Sequence, residues 1–156
     1  MSREILFKAK RADNGEWVEG YVVKRVHNEG EFLDGKIKWG MIKVDYIFPE
    51  IEDCCYKIIP ETLCEFTGLY DKNGKRIWEN DIIFDTYYKK LGVVKFGMGT
   101  FDSGIYRYYG WHYESEGSVD HHELYKYDEL VDFEVLGNRF DNAELLTAER
   151  IGDNEN

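Results

Sequence analysis

Apolar and polar residues alternate along much of the chain with a period of two, the mark of half-buried β-strands. From Arg3 to Lys10, Ile5, Phe7 and Ala9 share one face against Glu4, Lys8 and Lys10. Asp13-Asn14-Gly15-Glu16 reads as a turn, and Trp17 to Arg25 returns with Val18, Gly20 and Val22 opposite Trp17, Glu19, Tyr21 and Val23. Together these two runs predict a hairpin. His27 to Lys36 is polar and glycine-bearing, which predicts a long loop. Ile37 to Phe48 is expected to hold one or two short strands before the break at Pro49-Glu50. Alternation resumes at Thr62 to Phe66.

The second half opens on the most informative stretch, Phe66 to Ile83. Asp71-Lys72-Asn73-Gly74 is a tight turn, because Asn-Gly tolerates the positive φ that hairpin turns need. Glu79-Asn80-Asp81 is a second turn that launches a strand over Ile82 to Tyr88. Leu91-Gly92 and Gly97-Met98-Gly99 are expected to be further turns flanking a strand at Val93 to Phe96. Tyr106 to Tyr113 is a strongly aromatic strand, Glu114 to His122 a polar loop, and Leu124 to Leu130 a short helix or irregular edge. Val131 to Asn138 is the final strand. Asn142 then suits a helix N-cap, its side chain accepting from a first-turn amide, ahead of a short helix over Ala143 to Arg150. The pattern predicts a mainly β fold, a small antiparallel barrel or sandwich with a short C-terminal helix. Residues 1–156 read as a single domain, and the weakest boundary, between two interlocked β subdomains, falls near Pro60.

Composition narrows the function. Hydrophobic residues at 43% of 156 are ample for a core. A net charge of -11 argues against a groove for nucleic-acid phosphates, which needs clustered Lys and Arg. No apolar run reaches the length of a membrane span. The N-terminus lacks the apolar core of an export signal, and Cys54, Cys55 and Cys64 form an odd set with an adjacent pair. They read as reduced, buried or semi-buried structural thiols, so a cytoplasmic setting is expected.

No catalytic motif stands out. Gly97-Met98-Gly99 lacks the lysine and the following helix of a phosphate loop. Two regions hold the candidate chemistry. Tyr106, Tyr108, Tyr109 and Trp111 are the binding-surface candidates: in a strand, one face packs in the core and the other is free to stack on a partner. His112, Glu114, Glu116, Asp120, His121, His122 and Glu123 form the richest cluster of metal-ligand types. His112 and Glu114 would share a strand face, and a metal reading rests on His112, His121 and His122. The spacing matches no known zinc motif, so no cofactor is assigned.

Three stretches carry a family resemblance: Arg3-Glu4-Ile5-Leu6-Phe7-Lys8-Ala9, then Phe66 to Ile82 in the form FTGLxDKNGKxIxExDI, then Val135-Leu136-Gly137-Asn138 with Asn142-Ala143-Glu144-Leu145-Leu146. In this order the chain resembles the YopX family of phage and prophage proteins. It departs from the family's usual Gly at Asn80 and Pro at Ala143. The resemblance implies a mainly β protein of the bacterial cytoplasm and supplies no catalytic residues. The expected function is therefore a non-enzymatic accessory protein that binds a macromolecule, a host or phage protein, and forms a homo-oligomer. The alternatives are an acidic decoy that mimics nucleic acid, its feature the run Glu114 to Glu123, and a metal protein or enzyme.

Overall fold

The computed structural model describes residues 5–33, 36–49, 53–118, 121–124 and 132–147. The chain divides into two compact units, Glu4–Glu65 and a second that starts at Phe66. The fold is mainly β, as the alternation predicts. Among the described residues its strands form two antiparallel sheets that stay open rather than closing into a barrel.

In the first unit the strands are β1 (Phe7–Lys10), β2 (Trp17–Leu33), β3 (Lys36–Phe48), β4 (Tyr56–Lys57) and the start of β5 (Cys64–Tyr70). Their hydrogen-bonded order is β4-β3-β2-β1-β5. Ala9, Ile47 and Ile58 form the core, with Val18, Val22, Tyr56 and Leu63 packed against them. A single 3-10 turn at Pro60–Thr62 is fastened to β1, since Thr62 Oγ1 accepts from the Lys10 amide at 2.9 Å and donates to the Ile59 carbonyl at 2.7 Å.

Three expectations change here. Ile5 is exposed and Leu6 is buried instead, because the ladder begins only at Phe7. Of the loop expected at His27 to Lys36, the described residues are strand and residues 34 and 35 lie outside them: the β2–β3 ladder runs from Tyr21↔Phe48 to Leu33↔Lys36, which also makes Lys36–Phe48 one strand. Alternation reports which side chains are buried, whereas a backbone ladder needs only amides and carbonyls in register. Of the cysteines only Cys64 is buried, its Sγ 3.2 Å from the Thr62 carbonyl, and Cys54 and Cys55 are exposed.

In the second unit β5 continues and pairs with β6 (Arg76–Trp78), followed by β7 (Asp81–Asp85), β8 (Lys90–Phe101), β9 (Tyr106–Glu114), β10 (His121–Glu123) and β11 (Phe133–Asn138). The order is β10-β9-β8-β7-β11, all antiparallel. Ile77, Ile83, Val94, Tyr113, Leu124 and Phe133 make its core.

Buried carboxylates tie these strands together. Asp71 Oδ1 accepts from the Asn73 and Lys75 amides at 2.9 and 2.8 Å, which closes the predicted turn. Its Oδ2 accepts from the Val135 amide at 3.0 Å and so draws β11 onto the turn. Asp81 Oδ2 accepts from the Trp78 amide at 2.8 Å, and Asn80 takes a left-handed φ of 67° in that turn. Asp85 Oδ1 caps the next turn through the Tyr87 and Tyr88 amides, while Oδ2 accepts from the Tyr113 hydroxyl at 2.6 Å.

Leu91-Gly92 and Gly97-Met98-Gly99 are not turns but lie inside β8. At Gly92 an added Cβ would stand 2.4 Å from the Tyr113 ring, and at Gly99 one would stand 2.2 Å from the Tyr108 ring. These glycines make room for cross-strand aromatic rings. The real turns lie at residues 86–89 and 102–105. Near the C-terminus, residues 144–147 are helical and Ala143 is in a turn, while residues 148–150 of the expected helix lie outside the described residues, as do 125–131. Asn142 Oδ1 does not cap that helix but turns back to accept from the Asn138 amide at 3.2 Å. No helix is long and apolar enough to cross a membrane among the described residues.

Asp71→Ala is expected to lower stability by about 2–3 kcal/mol in urea unfolding, because the half-buried Val135 amide loses its acceptor and the turn loses its closure. Gly92→Ala should cost about 1–3 kcal/mol in the same assay, since the Tyr113 ring that would have to move is fully buried.

Candidate functional site

Both candidate regions lie on β9, and the ladders around it decide what each can do. β8 and β9 pair from Val93↔Glu114 out to Phe101↔Tyr106. β7 reaches β8 only over Lys90 to Val93, and β10 reaches β9 only over His112 to Glu114. Past those points, among the described residues, β8 and β9 continue as a two-stranded ribbon.

Cross-strand partners in an antiparallel ladder share a face. Val94 opposite Tyr113 is core, but the next pairs on the same face are Phe96↔Trp111 and Met98↔Tyr109. There Phe96 is 44% exposed, Met98 59% and Tyr109 75%, so the apolar face runs out of the core into solvent. Phe96 meets Tyr109 edge-on at 5.3 Å and Trp111 at 4.9 Å between ring centres. On the opposite face Phe101 stacks on Tyr106 at 4.9 Å. Tyr106 and Tyr109 are thus exposed, while Tyr108 and Trp111 are half-buried. The Tyr108 hydroxyl and the Trp111 Nε1 are buried without a hydrogen-bond partner among the described residues. Neither face of the ribbon is core along residues 106–110, contrary to the expectation that one would be, because the neighbouring strands stop short. Phe96, Met98, Phe101 and Ile105 join this surface unforeseen, and the alternation of Phe96 with Met98 was their signal in the sequence.

The face that carries Tyr108 also carries His112 and Glu114. Register sets His121 opposite Glu114 and Glu123 opposite His112. His112 Nε2 lies 3.1 Å from Glu114 Oε1, and His121 Nε2 lies 4.0 Å from the same oxygen. The two imidazoles stack at 5.1 Å. One ligand atom from each of the three residues falls within 4.8 Å of the others. His112 is buried, with Nδ1 3.2 Å from the Gly110 carbonyl; a carbonyl can only accept, so Nδ1 carries the proton. His121 Nδ1 instead accepts from the Thr100 amide at 3.2 Å.

His122 does not join them. One residue further along β10, it faces the core side, stacked on Tyr113 at 4.8 Å and near Tyr88 at 5.0 Å. Its Nε2 is 3.5 Å from Lys90 Nζ. Glu116 and Glu123 are exposed, and Asp120 lies outside the described residues. Among the described residues of the acidic run, Glu114 alone enters the His112–His121 group.

Two phenols are shifted. Burial, and then the hydrogen bond to Asp85, push Tyr113 far above the ordinary tyrosine range. Burial, and then the charges of Glu123 and Glu114, push Tyr108 up to about 12. A raised folded-state pKa stabilises the fold fully below the unfolded value, about pH 10, and that stability is lost as pH climbs through the folded value. Urea stability should therefore fall above about pH 10, and tyrosinate absorbance should show Tyr113 ionising only when the chain unfolds. The Tyr113→Phe variant should show a shallower alkaline decline; an unchanged decline would assign it to other groups.

The family model described as YopX protein matches residues 7–147. No curated protein matches the chain.

Proposed function

We propose that this chain, which belongs to the YopX family, acts by binding protein rather than by catalysis, and that a second copy of itself is its first partner. The observation that carries this reading is the outer half of the β8–β9 ribbon. A two-stranded ribbon is marginal in water on its own. Here it holds Phe96, Met98, Phe101, Tyr106 and Tyr109 at the surface, which raises the cost of leaving it uncovered.

Charge favours self-contact at this place. The chain carries a net charge of -11, so two copies repel over most of their surface. The face made by Phe96, Met98, Thr100, Arg107, Tyr109 and Trp111 holds no carboxylate. A two-fold contact would set this patch against itself, with Tyr and Trp as rigid anchors of low side-chain entropy. In this reading the protein is a phage or prophage accessory protein of the bacterial cytoplasm, and the assembled form presents its remaining acidic surface to a host or phage protein.

Sedimentation velocity tests the first step. The protein should sediment as a dimer or larger species at tens of micromolar. The double variant Met98→Ser, Tyr109→Ser should shift toward monomer with its circular dichroism unchanged, since both side chains are exposed in the isolated chain. A strict monomer at high micromolar concentration, or an oligomer indifferent to the double variant, sinks the proposal.

A further inference from the structure

We propose that His112, Glu114 and His121 bind one first-row divalent cation of the zinc type, at a site independent of the self-association surface. The first argument is donor parity. His112 Nδ1–H is committed to the Gly110 carbonyl at 3.2 Å, which turns Nε2 toward Glu114 Oε1 at 3.1 Å. A ring nitrogen without a proton and a carboxylate oxygen are both acceptors. Two acceptors at that separation require a positive species with them, a proton or a metal ion. An Nδ1–H held by a backbone carbonyl, with Nε2 turned toward a second ligand type, is also how proteins orient a metal-ligating histidine.

Distance is the second argument. Two ligands about 2.0–2.1 Å from zinc at the tetrahedral angle stand about 3.3 Å apart. The His112–Glu114 separation of 3.1 Å is already close to that spacing. The third ligand is within reach, with His121 Nε2 at 4.0 Å from the same oxygen and its ring stacked on His112. Two imidazoles and a carboxylate suit zinc, cobalt or nickel; calcium and magnesium want six or more oxygens or several waters. Nearby, the buried Tyr108 hydroxyl has no hydrogen-bond partner among the described residues, and its ring meets His112 edge-on at 5.9 Å. Three protein ligands leave the fourth position to water.

His121 must change to take part. While Thr100 donates to its Nδ1, the neutral ring carries its proton on Nε2. Cation capture breaks this hydrogen bond, either by freeing Nδ1 for the metal or by turning the ring. Binding at β10 is thereby felt at the Thr100 amide on β8, a readout that no exposed thiol or carboxylate would reproduce.

Cobalt(II) chloride titrated into the chelator-treated full-length chain tests this, in a Cys54→Ser, Cys55→Ser background that removes the two exposed thiols as competing ligands. One ion per chain should bind, with visible bands of a four- or five-coordinate centre and a shifted Thr100 amide resonance. Glu114→Gln and His121→Gln, both at half-buried positions, should each weaken binding at least tenfold with circular dichroism unchanged. His112 is fully buried and its removal risks the fold, so the test does not depend on it. No saturable uptake of one ion, or uptake that survives both variants, overturns the site and leaves a shared proton between His112 and Glu114. A failure here leaves the self-association reading untouched, since that reading is measured by sedimentation in the absence of metal.

Discussion

Order in the second unit depends on carboxylates that have been taken out of water and given backbone amides in exchange. Asp71 accepts three amides, two within its own turn and one from Val135, and so fixes β11 against the β5–β6 hairpin. Asp81 and Asp85 repeat the device at the next two turns. An acceptor-only group with several lone pairs is well matched to amides that a sharp turn leaves without carbonyl partners. The cost of burying the charge is offset only while those amides stay in place, which makes each turn all-or-none.

From Asp85 the constraint passes to β9. Its hydrogen bond holds the Tyr113 hydroxyl, and the Tyr113 ring sits in the core beside Phe133 and over the space left by Gly92. With Tyr113 turned inward, strand alternation places His112 and Glu114 together on the opposite face. β10 then sets His121 beside Glu114. The candidate metal group thus follows from packing on the reverse side of the sheet. The exposed aromatic face has a related origin: it is the continuation of the core-facing row of β8 and β9 beyond the strands that would have covered it.

Much of this was legible in the sequence, and the failures share a cause. The Asp71–Gly74 turn, the Glu79–Asp81 turn and the aromatic strand follow from residue chemistry over a few positions, and they stand as read. Gly92 and Gly99 were misread as turns because glycine also marks close approach, and only the ring on the neighbouring strand tells the two apart. The long polar stretch after His27 was misread as a loop because a ladder is made by backbone groups that leave no trace in side-chain polarity. At the site, His112 and Glu114 are two residues apart, so their shared face was visible; His121 was grouped with His122 because they are adjacent in the chain.

The sequence by itself determined the mainly β character, the family, and the turns that depend on Asp71, Asn73, Gly74 and Asn80, because each of these rests on local backbone preference or on alternation within a strand. Only the tertiary structure decided that His121 and not His122 approaches His112 and Glu114, and that Tyr109 meets solvent while Tyr113 is core. Those outcomes depend on register and on where neighbouring strands end. Both are set by contacts between residues far apart in the chain, which a local pattern does not encode.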